Sequence, residues 1–87
     1  MQEKVITIKN KLGLHARPAA MFVQTAARFK SKIKIIKDEQ EVDGKSIMGI
    51  MTLAASFGTE IKLIVDGADE AAAVEAISLL FESGFGE

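Results

Sequence analysis

Lys9-Asn10-Lys11-Leu12-Gly13-Leu14-His15-Ala16-Arg17-Pro18-Ala19-Ala20 is where the pattern of the chain changes from a period of two to a period of three and four. Upstream, Lys4-Val5-Ile6-Thr7-Ile8-Lys9 sets Ile6 and Ile8 on one face and Val5 and Thr7 on the other, which predicts a strand over Lys4–Lys9. Asn10 to Leu14 then forms a loop broken by Gly13. Pro18 suits the first turn of a helix, where its missing N–H has no partner to lose, and a helix is predicted to run to about Phe29. Inside it Ala19, Phe22, Val23, Ala26 and Phe29 recur at spacings of three and four and make a core-facing stripe. Ala20, Met21, Gln24 and Arg28 lie off that stripe, so Met21 either fills the edge of the core or lies partly exposed near His15.

Downstream, Lys32-Ile33-Lys34-Ile35 alternates charge with β-branched carbon and predicts a strand with one wet face, continued through Ile36 and Lys37. Asp38-Glu39 turns the chain into a short strand at Glu41-Val42-Asp43, closed by Gly44. Ser46 then precedes Ile47-Met48-Gly49-Ile50-Met51 as an N-cap, with Ile47, Ile50 and Ala54 on one face and Met48 and Met51 on another. This second helix is expected to stop at Phe57-Gly58-Thr59. Glu60 to Val65 alternates again, with Ile61, Leu63 and Val65 inward, and Asp66-Gly67 turns. Asp69 is the expected cap of a last helix with the stripe Ala73, Ile77, Leu80 and Phe81, Glu70 in its first turn and Gly84 as its stop. The order βαββαβα, with one apolar stripe per helix, implies an α+β, two-layer fold: three helices on one face of a four-stranded sheet. The other face is left to Lys32, Lys34, Glu60 and Lys62.

A chain of 87 residues with 48% apolar and 26% charged residues suits one domain over residues 1–87. Eleven basic and twelve acidic residues give a net charge of −1, which argues against binding to nucleic acid or an anionic membrane surface. The lack of cysteine excludes disulfides, thiolate catalysis and cysteine-based zinc sites, and one histidine is too few for a cluster, so neither metal nor cofactor is expected. No stretch has signal-peptide or membrane-spanning length, which makes a cytoplasmic location the default.

His15 is the single histidine, and it stands at a helix start, where unpartnered N–H groups and the positive end of the peptide dipole favour an anion. The N–H groups of Ala16 and Arg17 are the candidate phosphate donors; Pro18 has none. Arg17 adds a planar cation able to hold two phosphoryl oxygens. An imidazole nitrogen so placed suits in-line attack on phosphorus and later release to an acceptor. No carboxylate is expected close to His15, and Leu12, Leu14 and Ala16 supply an apolar collar.

Gly13-Leu14-His15-Ala16-Arg17-Pro18-Ala19-Ala20, together with Lys45-Ser46-Ile47-Met48-Gly49-Ile50-Met51, closely resembles the HPr family, the histidine phosphocarriers of the phosphoenolpyruvate-dependent sugar phosphotransferase system, over essentially the whole chain. The resemblance implies an open-faced β-sandwich and a protein that is no enzyme but a covalent intermediate in a relay. It implies that His15 is phosphorylated at Nδ1 by Enzyme I and hands the group to the A domains of sugar permeases, with Arg17 as electrostatic partner. The second segment looks like the Gram-positive branch, in which HPr kinase/phosphorylase modifies the residue at Ser46 and the product is a corepressor with the catabolite control protein. The residues alone also permit simple N-capping by Ser46, and the two roles are compatible.

Ala20, Met21, Gln24, Ile47, Met48 and Met51 are the candidate docking residues, since flexible methionines suit one surface that meets several partners; core packing is the other reading, above all for Ile47 and Ile50. A carrier visiting partners through one face is expected to be a monomer. Leu12 and Ala20 depart from the hydroxyl residues often found there in the family, which bears on partner contacts. A purely regulatory module like the catabolite-repression homologue is the alternative, although that homologue lacks the reactive histidine. A generic RNA- or protein-binding domain is weakened by the balanced charge.

Overall fold

The alternation of apolar residues settles which face of each strand is buried. In the computed structural model, which describes residues 1–87, the elements are β1 (Gln2–Thr7), α1 (Ala16–Ala26), β2 (Lys32–Lys37), β3 (Gln40–Asp43), α2 (Ile47–Thr52), β4 (Glu60–Asp66) and α3 (Glu70–Glu82). A short 3₁₀ turn at Gly84–Gly86 follows. The strands form one antiparallel sheet in the order β1-β4-β2-β3. Ile6 lies opposite Ile61, Ile33 opposite Val65 and Ile35 opposite Leu63, so the inward side chains meet as cross-strand pairs. All six are buried, whereas Lys32, Lys34, Glu60 and Lys62 stand on the solvent side. The helices cover the apolar face with Phe22, Ile50, Leu53, Ala73, Ile77 and Phe81, which completes the two-layer α+β architecture expected from the sequence.

Several boundaries differ from the sequence reading, each for a physical reason. β1 begins at Gln2 and ends at Thr7, because Ile8 leaves the ladder to pair with the turn before β4: its N–H bonds to Thr59 O and its carbonyl receives Gly58 N–H. α1 starts at Ala16, so Pro18 is its third residue, still in the first turn where its ring costs no hydrogen bond. It ends at Ala26, after which Arg28 and Phe29 donate to carbonyls only three residues back.

α2 is shorter than expected and stops well before Gly58. Ala54 takes a left-handed φ of 50°, and the Lys37 ammonium donates to Leu53 O at 2.9 Å and to Ala54 O at 3.4 Å, so a cation from β2 ends the helix. Its inward residues are therefore Ile50 and Leu53, while Ile47 and Ala54 are exposed.

Asp69 occupies the position before α3 but its side chain does not cap that helix. Its carboxylate turns instead to the chain entering β2, accepting from Lys30 N–H at 2.9 Å, from Ser31 N–H at 3.0 Å and from the Ser31 hydroxyl. The Ser31 hydroxyl, followed by the Lys30 N–H, holds the Asp69 carboxyl below the usual carboxylate range. A group with a depressed folded-state pKa contributes stability that is complete above the unfolded value of about 4 and disappears as pH falls through the folded value. Asp69→Asn is accordingly expected to lower the urea midpoint at neutral pH and to flatten its decline below about pH 4. Parallel acid limbs for the two proteins would remove Asp69 from that role.

Candidate functional site

α1 begins directly at His15, whose backbone is extended (φ −78°, ψ −171°) and whose side chain makes no cap bond to the helix. The first bond of the helix runs from Ala19 N–H to His15 C=O at 3.0 Å, so the Ala16 and Arg17 N–H groups precede the ladder and have no partner within it. Two free donors and a dipole end thus lie next to an imidazole whose side chain is 36% exposed. The Arg17 side chain is exposed and forms no ion pair within bonding distance, which leaves its guanidinium uncommitted.

The loop before the helix is built to hold this position. Gly13 has a left-handed φ of 68° and donates to Asn10 O, and Leu14 N–H bonds to Ala55 O at 2.9 Å. Leu14 is buried beneath the loop, whereas Leu12 is 73% exposed and Ala16 is also exposed, so the expected apolar collar is one buried and two open residues.

The expectation of a site free of carboxylates is corrected by the structure. The His15 Nε2 atom lies 2.8 Å from Glu87 Oε2, and the other carboxylate oxygen, Oε1, accepts from Asn10 Nδ2 at 3.0 Å. The amide of Asn10, followed by the imidazole and with a contribution from Arg17, holds the Glu87 carboxyl below its ordinary range. Glu87 is 72 residues from His15 and arrives because the chain folds back after α3. Phe85, between Gly84 and Gly86, is fully buried with its ring edge-on to Phe81 at 4.9 Å. An aromatic residue between two glycines at the end of a helix was the available signal, as such a side chain seeks the core and its neighbours allow a tight reversal.

An open notch of about 240 Å³ lies on one flank of the imidazole, lined by Leu12, Leu14, His15, Met51, Ala54, Ala55 and Ser56. On the Arg17 flank, Lys9 and Lys11 join Arg17 and Glu87 around a wider cleft. Of the candidate docking residues, the structure brings Met51 beside His15. Met48 is 73% exposed, Ile47 and Met51 are less so, Gln24 is exposed, and Ala20 and Met21 are half-buried, Met21 against the core. Ser46 is half-buried at the start of α2, where its Oγ accepts Gly49 N–H at 3.0 Å and fulfils the expected N-cap.

A family model described as "PTS HPr component phosphorylation site" matches residues 2–83. The chain belongs to the HPr family. Phosphocarrier protein HPr of Treponema pallidum is 49% identical over 87 residues, covering 100% of this chain and 99% of the relative. A crystal structure of HPr from Thermoanaerobacter tengcongensis superposes with a TM-score of 0.96 at 56% identity, over 100% of this chain and 98% of that one. The HPr-like protein Crh of Halalkalibacterium halodurans is 52% identical over 82 residues, 94% of this chain and 98% of the relative. HPr proteins are phosphocarriers of the phosphotransferase system rather than enzymes, and the antiparallel sheet with three helices found here is the HPr fold. No helix is long and apolar enough to cross a membrane.

Proposed function

We propose that this member of the HPr family carries its phosphoryl group on Nδ1 of His15, taking it from Enzyme I and ultimately from phosphoenolpyruvate, and passing it to the A domains of sugar permeases. The observation that carries this reading is the half-exposed imidazole beside two unpartnered N–H groups, with its Nε2 engaged by Glu87 and its Nδ1 left without a partner. In-line attack by Nδ1 would place the phosphoryl oxygens toward the Ala16 and Arg17 N–H groups, with the Arg17 guanidinium neutralising charge as it accumulates. Two backbone donors and one cation free of other partners orient the group without caging it, which keeps the return transfer accessible.

Docking of these partners is assigned to the apolar surface beside the site, with Met51 and Leu12 at the notch and the exposed Ile47, Met48 and Gln24 and the half-buried Ala20 and Met21 as the further candidate contacts. Such a carrier works as a cytoplasmic monomer and needs no metal or cofactor of its own.

Ser46 is the proposed target of HPr kinase/phosphorylase, and the phosphorylated form the corepressor of the catabolite control protein. Its N-cap role is worth about 0.5–2 kcal/mol relative to alanine. A phosphate there faces the positive end of α2, so the fold survives while the charge beside Met48 changes. The likeness to Crh of Bacillus subtilis, described as a catabolite repression HPr, favours a regulatory role as a second reading beside the carrier.

One experiment separates these roles. Incubation with Enzyme I and labelled phosphoenolpyruvate is expected to give an acid-labile phosphate, absent from His15→Ala. Incubation with the kinase and ATP is expected to give an acid-stable phosphate, absent from Ser46→Ala. Labelling by the kinase alone would leave the regulatory reading and remove the carrier.

A further inference from the structure

We propose that Glu87 is a positioning residue that sets the tautomer of His15, keeping the proton on Nε2 and the lone pair on Nδ1. The inference rests on the assignment of His15 as the phosphorylated residue and concerns how its reactive nitrogen is chosen. A neutral imidazole carries one N–H, and whichever nitrogen holds it cannot attack phosphorus. A carboxylate only accepts, so Glu87 Oε2 at 2.8 Å from Nε2 requires the hydrogen there.

The orientation of the carboxylate is itself fixed from behind. Asn10, 4% exposed, donates through Nδ2 both to Gly13 O at 2.5 Å and to Glu87 Oε1 at 3.0 Å. A backbone carbonyl can only accept, so the Gly13 carbonyl determines which way the Asn10 amide points. The reverse orientation would aim Asn10 Oδ1 at two acceptors. The side chain of Glu87 is 18% exposed, and its bond to the imidazole lies at the surface, where the hold of Asn10 on the other oxygen keeps the carboxylate in place.

The arrangement also follows the reaction through. The Nδ1 pair attacks the phosphorus of the donor; the bond from phosphorus to the donor's leaving atom breaks and its electron pair stays on the donor. The ring retains its Nε2 proton and becomes a phosphoimidazolium, whose positive charge then faces Glu87. On transfer to the acceptor the Nδ1–P bond breaks and the pair returns to Nδ1, so no proton has to move within the carrier.

The chain of donors makes an unusual ordering of variants. In Glu87→Gln, Asn10 still donates, so the new amide must turn its oxygen to Asn10 and its NH₂ to the imidazole. Nε2 must then accept, and the proton is driven to Nδ1. Glu87→Ala removes the constraint without reversing it. The variant closest in shape is therefore expected to be the more damaging one.

Ring ¹⁵N shifts, read at about pH 9 so that the neutral ring is observed, are expected to show the Nε2–H form dominant in the wild type. They should show the Nδ1–H form dominant in Glu87→Gln and a mixture in Glu87→Ala. The rate constant for phosphorylation by Enzyme I should fall about tenfold in Glu87→Gln, the scale by which one hydrogen bond moves a tautomer ratio, and by no more than about threefold in Glu87→Ala. Unchanged ring shifts in Glu87→Gln, or the two variants phosphorylated equally fast, would overturn the assignment of Glu87 while leaving the carrier reading intact. A wild type that accepts no label at all would remove the carrier reading and this one with it.

Discussion

Gly13→Ala is expected to lower the unfolding free energy by roughly 3 kcal/mol, a large loss for a surface-loop substitution. At φ 68° an added Cβ would sit 2.3 Å from Ala55 O and 2.8 Å from Ser56 Cα. Both are backbone atoms, so no side-chain rotation relieves the overlap. The left-handed conformation alone costs a residue with a Cβ about 1–2 kcal/mol, and the remainder comes from forcing apart the Leu14 N–H bond to Ala55 O. Gly58→Ala provides the comparison, because Gly58 also has a positive φ, 85°, yet a Cβ added there would meet nothing within 4 Å. Only the conformational cost, about 1–2 kcal/mol, applies there. Urea unfolding of both variants separates the two contributions. Equal losses would mean that the close approach of the loop to Ala55 is not what holds it. Since Leu14 and His15 follow directly, the rate of phosphorylation should fall with stability in Gly13→Ala and not in Gly58→Ala.

The parts of the fold legible in the sequence are those specified by neighbours two to four residues apart. Ile33 with Ile35, and Ile61 with Leu63 and Val65, announced their faces because the strand period is two. Phe22 and Ala26 announced theirs because a helix brings residues four apart together. What escaped was decided across the fold. The end of α2 depends on Lys37, a residue of β2, and on a left-handed alanine that no local preference favours. Asp69 has the right chemistry and position for a cap, but the N–H groups and hydroxyl at Lys30 and Ser31 offer it three bonds. The same limit applied at the site. His15, Ala16 and Arg17 were visible as a contiguous motif, whereas Glu87 could be found only through the path of the last five residues. A list of charges near in sequence therefore described the site as free of carboxylates when one lies in hydrogen-bond contact with the imidazole.

Phe85 connects that hidden neighbour to the core, and Phe85→Ala is expected to cost about 3 kcal/mol, at the lower end of the range for truncating a buried aromatic residue. Its backbone is left-handed (φ 56°), an arrangement costing a bulky residue about 1–2 kcal/mol. It persists because full burial of the ring is worth about 1.5–3 kcal/mol, and the edge-on contact with Phe81 adds to that. Alanine retains the strain and loses most of the compensation, so the turn at Gly84–Gly86 should open and relax rather than leave an empty cavity, which keeps the loss at the lower end. The second consequence reaches the site. Once the turn opens, Glu87 is no longer held against Asn10 and His15, and the imidazole ¹⁵N shifts of Phe85→Ala should match those of Glu87→Ala. Phe85→Leu retains an apolar anchor and should keep both the Glu87 contact and most of the stability. A Phe85→Ala protein with wild-type ring shifts would show that Glu87 reaches His15 without this anchor, and the sequence of contacts from core to imidazole would have to run through Asn10 alone.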